Sequence, residues 1–122
     1  MAALSLIGRA TFLESFAGIL AGDAIVRHCS GQNSAERYQD YFSAGAKAWL
    51  GEAAIGKAPV GFALLTMPDL PCARDGDIEL KRIYALSRFH GSGIGTALME
   101  AAIDESKCFY RLLLGVYRDN PR

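Results

Sequence analysis

Ile78-Glu-Leu-Lys-Arg-Ile-Tyr-Ala-Leu86, followed by His90-Gly91-Ser92-Gly93-Ile94-Gly95 and then Thr96-Ala-Leu-Met-Glu-Ala-Ala-Ile-Asp-Glu-Ser-Lys107, is the stretch whose reading decides the fold. The first run is strand-like. In the last, Ile94, Ala97, Leu98, Ala101 and Ala102 recur at i, i+3, i+4 spacing, the period of a helix with one apolar face. Met99 and Ile103 widen that stripe, while Glu100, Asp104, Glu105 and Lys107 can face water. A glycine-rich turn from strand to helix brings bare backbone N–H groups to a helix N-terminus. Such a turn is a ready site for a phosphate or pyrophosphate, and that restricts the ligand more than the fold does.

Downstream, Leu112–Val116 is apolar throughout, which predicts a central strand covered on both faces and parallel to the strand before the helix. Strand, turn, helix and strand make a right-handed βαβ unit. Upstream, Ala46–Glu52 and Val60–Thr66 flank Gly56-Lys-Ala-Pro59 and read as an antiparallel hairpin. Pro68–Asp77 is a polar loop with Ala73-Arg-Asp-Gly-Asp77 at its tip. Leu6, Ile7, Ala10, Leu13, Phe16, Ala17 and Leu20 predict an amphipathic helix over residues 3–20, weakened at its end by Gly18 and Gly22. A second short helix starts at Asn33 or Ser34 and buries Tyr38, Tyr41 and Phe42. No internal repeat, low-complexity segment or linker interrupts the chain. The expected class is α/β (α+β): N-terminal helices, an antiparallel hairpin and a βαβ unit forming one mixed sheet.

The bulk numbers fit one domain over residues 1–122. Of the 122 residues, 51% are hydrophobic and 21% charged, the balance of a chain with a real core. Formal net charge is zero, so nothing electrostatic points to nucleic acid or an anionic membrane. No apolar run approaches the ~20 residues that span a bilayer. The apolar start, Met-Ala-Ala-Leu-Ser-Leu-Ile-Gly-Arg, has no basic segment ahead of it and reads as folded structure, not as a signal peptide. Cys29, Cys72 and Cys108 are odd in number and form no CxxC pair; they predict reduced thiols in a cytoplasmic setting and no metal site, with Cys108 a buried structural thiol.

Rival glycine motifs fail on the residues. A G-x-G-x-x-G fingerprint counted from Gly91 needs glycine where Thr96 stands, and counted from Gly93 needs it where Leu98 stands. A P-loop needs Gly-Lys-Ser/Thr, which is missing. What the segment Ile83-Tyr-Ala-Leu-Ser-Arg-Phe-His-Gly-Ser-Gly-Ile-Gly-Thr-Ala-Leu-Met does resemble is motif A of the GNAT superfamily, the acetyl-CoA-dependent N-acetyltransferases. That motif, Gln/Arg-x-x-Gly-x-Gly/Ala after a strand and opening a helix, puts His90 at the Gln/Arg position and Gly93 and Gly95 at the two glycines. The helix, helix, hairpin order upstream matches too.

The resemblance implies binding of the coenzyme A pyrophosphate on the turn formed by His90, Gly91, Ser92, Gly93, Ile94, Gly95 and Thr96. It also implies that the pantetheine arm lies against Ile83, Tyr84 and Ala85, in the gap before the next strand. Asn120 matches the asparagine before the helix that follows. Two departures stand out. His90 is neither Gln nor Arg, which is a mild change if the backbone holds the phosphates. The chain is also short at both ends: the usual first strand and the C-terminal helix and strand are missing, and Tyr117 lies too early to replace the family's tyrosine acid. Exposed edges of such a sheet would favour a homodimer that completes it.

The implied reaction is direct transfer of an acetyl group from acetyl-CoA to a primary amine of a small molecule, peptide or protein. Glu79, with Asp77 just before it, is the candidate base through water; Tyr84 or Ala85 N–H groups are candidates to polarise the thioester carbonyl. Phe12, Glu14, Ser15 and Phe16 fall on the helix that lines the acceptor side in this family. The competing reading is a truncated module that binds CoA, or nothing, and acts by association.

Overall fold

The computed structural model describes residues 1–69 and 72–114. Asn120, Tyr117 and the end of the last predicted strand lie outside the described residues. Four helices and four strands follow in the order α1 (Ala2–Phe16), α2 (Gly22–Gly31), α3 (Ala35–Ser43), β1 (Lys47–Glu52), β2 (Pro59–Thr66), β3 (Asp77–Ala85), α4 (Ile94–Ser106) and β4 (Arg111–Leu114), with a 3-10 turn at Ser87–Phe89 before α4. The sheet order is β1-β2-β3-β4. β1, β2 and β3 are antiparallel neighbours, and β4 is parallel to β3 with Asp77 opposite Arg111 and Leu80 opposite Leu114.

Helices cover both faces of this mixed sheet. On one, Leu4 and Ile7 of α1 and Tyr38 of α3 pack on Phe62 and Leu64. On the other, Leu98 and Ala102 of α4 pack on Ala63, Leu65, Ile78 and Leu80. Alternate β2 residues feed the two cores, which is the period-two geometry of a strand buried on both sides.

The N-terminal helix departs from expectation in extent and in face. It ends at Phe16, because Gly18 turns the chain with φ +85, and a separate α2 follows from Gly22. Its buried stripe is Leu4, Ile7, Gly8, Thr11 and Phe16, whereas Leu6 and Leu13 are exposed. Gly8 belongs to that stripe for a steric reason. A Cβ there would lie 2.3 Å from Asn33 Oδ1 and 2.5 Å from the Tyr38 hydroxyl. The predicted second helix is α3: Ser34 is its N-cap and accepts a hydrogen bond from the Arg37 N–H at 3.1 Å.

Two further expectations are corrected. Cys108 is exposed, because α4 ends at Ser106 before it. Among the described residues β4 is the edge of the sheet, not its centre, and Leu114 is exposed; the parallel pairing itself is as expected. Asp77 anchors this edge. Its buried carboxylate accepts from Arg111 Nε at 3.0 Å, Arg111 NH2 at 2.7 Å and the Arg74 N–H at 2.9 Å. These bonds, the Arg111 pair first, hold its pKa below the ordinary carboxylate value.

The N-terminus of α4 is fixed by a pit in the sheet. Gly51 and Gly61 face each other across β1 and β2. An added Cβ at Gly51 would lie 2.6 Å from Ile94 Cγ2, and one at Gly61 would lie 3.2 Å from both Ile94 Cγ2 and Leu98 Cδ1. Gly51→Val is therefore expected to destabilise the protein by about 1–3 kcal/mol in urea melts, through overpacking. Ile94→Ala should cost less in that background than in the wild type; additive costs would show that the two side chains do not compete for one space.

Candidate active site

A groove of about 530 Å3 opens at the junction of β3 and α4. Ile83, Tyr84 and Ala85 form one wall, and Phe89, His90, Gly91, Gly93, Gly95 and Thr96 form the other. The structure thus brings the strand segment and the glycine turn singled out in the sequence to one place. The turn is shaped by Gly91 at φ +83 and Gly93 at φ +92, values that L side chains rarely adopt. Gly95 has an ordinary φ, and a Cβ at any of the three would meet open space.

Among the described residues, no backbone carbonyl accepts from the N–H groups of Gly91, Gly93, Gly95 or Thr96. Those of Gly93, Gly95 and Thr96 are orphan donors of the first turn of α4 and that of Gly91 lies in the turn before it, all gathered at the positive end of the helix dipole. His90 is exposed, but its Nε2 lies 3.0 Å from the Ala85 carbonyl and donates to it, closing the turn onto the strand end. The Ser92 hydroxyl donates to the Phe89 carbonyl at 2.6 Å and stiffens the same turn.

The ladder assigns the backbone groups of β3. The Leu86 N–H donates to the Val60 carbonyl at 2.9 Å, which makes those two residues a hydrogen-bonded pair. Antiparallel alternation then turns the groups of Tyr84 toward Phe62, and those of Ile83 and Ala85 away from β2, toward the groove. Of the two N–H groups expected to polarise a carbonyl, Ala85 is therefore the available one, and Tyr84 is engaged in the ladder.

Behind Tyr84, on the α1 side of the sheet, lies a second cavity of about 420 Å3. Its walls come from Phe12 and Phe16 of α1, His28 of α2, Phe62 of β2, and Lys81, Arg82 and Tyr84 of β3. Two successive basic residues share this face because β3 is bulged: Leu64 pairs with Arg82 but Leu65 pairs with Leu80, leaving Lys81 as the extra residue. Arg82 NH1 donates to the Gln32 carbonyl at 3.1 Å, Asn33 Oδ1 at 2.8 Å and the Tyr38 hydroxyl at 2.9 Å. Its guanidinium lies 5.5 Å from the Tyr38 ring centroid and 5.7 Å from that of Tyr41. His28 stacks on Phe12 with centroids 3.8 Å apart and planes within 6°. Burial, then the charge of Arg82, lowers its pKa from 6.5, so the imidazole is neutral at neutral pH. His28 was missed in the sequence because α2 was; only Asp23 in its first turn marked that helix.

The remaining candidates lie elsewhere. Glu79 is buried, accepts from the Asp69 N–H at 3.2 Å, and does not line either cavity. It stands five residues before Tyr84, roughly 15 Å along an extended strand. Glu14 is outside the acceptor-side cavity: its carboxylate accepts from the Ser87 N–H at 2.7 Å and the Ser87 hydroxyl at 3.1 Å. Ser15 has a buried hydroxyl with no hydrogen-bond partner among the described residues.

The site is thus a strand ending in a glycine turn whose free N–H groups open on the strand's own outward backbone. Residues 15–122 match the acetyltransferase (GNAT) family. This chain belongs to that family. It is 28% identical over 121 residues to an uncharacterized N-acetyltransferase of Mycobacterium tuberculosis, covering 98% of this chain and 74% of that protein. Its fold superposes with a TM-score of 0.79, at 20% identity, on the PaiA N-acetyltransferase of Thermoplasma acidophilum in complex with coenzyme A, covering 98% of this chain and 75% of that one. It also superposes, with a TM-score of 0.57 at 16% identity, on AAC(6')-Iy in complex with a bisubstrate analogue, CoA-S-monomethyl-acetylneamine, covering 95% of this chain and 75% of that one. As a GNAT member the chain is an acyltransferase, with the mixed α/β fold expected of it.

The lowered pKa of His28 sets a pH dependence. The unfolded chain binds a proton near pH 6.5 while the folded chain resists it, so stability falls as pH drops through that value. His28→Phe, which keeps a ring against Phe12, is expected to flatten this loss in urea melts taken between about pH 7 and pH 5. An unchanged acid slope would show that His28 is not the group responsible.

Proposed function

We propose that this GNAT domain transfers an acetyl group from acetyl-CoA to a primary amine by direct attack, the amide C–N bond forming as the thioester C–S bond breaks and coenzyme A leaves as its thiolate, to take a proton from water. The observation that carries the reading is the set of free N–H groups at Gly91, Gly93, Gly95 and Thr96, opening on the groove that Ile83 faces with its backbone polar groups and Ala85 with its N–H. The open space above all three glycines fits a pyrophosphate lying against the backbone, and the α4 dipole favours its charge. The outward groups of Ile83 and the N–H of Ala85, whose carbonyl is held by His90, suit the amides of an extended pantetheine arm. Bound there, acetyl-CoA would supply the activated acetyl group as a thioester. The solved coenzyme A complex of PaiA, with the same fold, supports this use of the groove.

The cavity behind Tyr84 is the acceptor side of this reading, since Tyr84 lines both spaces. The Ala85 N–H is placed to stabilise charge developing on a carbonyl oxygen in the groove. The acceptor must arrive as a neutral amine, because an ammonium has no lone pair. A partly desolvated space beside Lys81 and Arg82 opposes the ammonium form, and neutral His28 in its wall is a base for the departing proton. Glu79 joins this route only through water, from the far end of β3.

Gly95 gives a test that leaves the backbone alone, since its φ is ordinary and its surroundings are open. Gly95→Glu is expected to melt like the wild type and to lose at least about tenfold in coenzyme A affinity by calorimetric titration, roughly 1.4 kcal/mol. Retained affinity in a folded Gly95→Glu chain would overturn the phosphate assignment.

A further inference from the structure

The cavity between α1, α2 and β3 carries a charge pattern that narrows the acceptor. Phe12, Phe16, Phe62 and Tyr84 supply apolar ring surface, and Lys81 and Arg82 supply positive charge. Among the described residues, none of those lining it is an aspartate or a glutamate. The nearby acids are engaged outside it, Glu14 with Ser87 and Glu79 with the Asp69 N–H. A polycationic acceptor would meet two like charges in the lining, and the one carboxylate bonded to them among the described residues, Asp69, is already paired with Lys81.

Both basic groups have capacity for an anion. Arg82 places its three bonds on NH1, which leaves Nε and NH2 without a hydrogen-bond partner among the described residues. Lys81 pairs with Asp69 at 2.8 Å, and the Asp69 side chain is 68% exposed, so water and a ligand carboxylate can both compete for the ammonium. The reacting amine must lie near Tyr84, where the cavity meets the groove. Arg82 and Lys81 stand two and three residues down the strand from Tyr84, which sets ~7–10 Å between amine and anion.

Resting on the reading of this cavity as the acceptor site, we propose that the acceptor is a primary amine with an apolar, ring-sized body and an anionic group at its far end, the anion held by Lys81 and Arg82. A planar carboxylate suits the free edge of the guanidinium. The ring fits the space beside Phe12 and Phe16 and leaves the amine directed toward Ala85.

Matched probes test this on the chain saturated with coenzyme A, by calorimetric titration, so that no turnover is needed. They are para-(aminoethyl)benzoate, phenylethylamine (the same body without the acid) and spermidine. The benzoate is expected to bind at least ~tenfold more tightly than phenylethylamine, with spermidine weakest. Lys81→Gln should bring the benzoate down toward phenylethylamine and leave phenylethylamine itself unmoved. Equal affinity for the matched pair, tightest binding of spermidine, or no binding of any of the three overturns the proposal. Phe12→Trp separates the two levels of the argument by filling the cavity. If it weakens amine binding while spermidine is preferred, the cavity stands as the acceptor site and the charge assignment falls. If it leaves amine binding untouched, the acceptor lies elsewhere and both fall.

Discussion

The contact on which the rest of the structure depends is the seat of Ile94 over Gly51 and Gly61. Two glycines face each other across β1 and β2, and a side chain at Gly51 would push the first turn of α4 away from the sheet, since its Cβ would lie 2.6 Å from Ile94 Cγ2. Because that turn is held down, its free N–H groups stand at the level of the β3 end and open on the same groove as Ile83 and Ala85. The glycine turn alone would present donors; its seating decides what they are presented to. His90, bonded back to the Ala85 carbonyl, closes the remaining freedom of the turn.

A second constraint governs the opposite face. The bulge at Lys81 sends two successive basic side chains toward α1, where Arg82 meets Asn33 and Tyr38 beneath Gly8. The Arg82 guanidinium is half-buried, and the three bonds on NH1 offset part of the cost of its desolvation. Here those bonds join the segment before α3 to the sheet, so the same residue that braces the fold also sets the charge of the cavity beside it. Structure and specificity are coupled at this point, and the charge of Arg82 adds to burial, the larger cause, in keeping His28 neutral.

The glycine turn, the helix after it, the hairpin and the βαβ order were legible in the sequence because each has a short-range cause: positive φ, helical spacing, alternation between turn residues. What was not legible has long-range causes. The inward face of α1 contains Gly8 and Thr11, which no hydrophobic count selects, and turns out Leu6 and Leu13, which such a count does select. The buried identity of Gly8 is imposed by Asn33 and Tyr38, residues far along the chain. Helix α2 buries only Ile25 and carries no side-chain cap, so its pattern was weak and His28 went with it. The bulge in β3 leaves no mark in a run that reads as an unbroken strand. Its effect, the pairing of Lys81 with Arg82 on one face, appears only when β2 is laid alongside.

The account's central claim is that the α4 turn and the outward edge of β3 form one binding surface for coenzyme A. The most direct measurement is a titration of the isotope-labelled chain with coenzyme A, followed amide by amide by NMR. The account predicts saturable shifts concentrated at Ile83, Ala85 and the residues from Gly91 to Thr96, with Tyr38 and the α1–α3 contact little changed. Shifts centred instead on the Phe12 and His28 cavity, or no shifts in a folded chain, would contradict it.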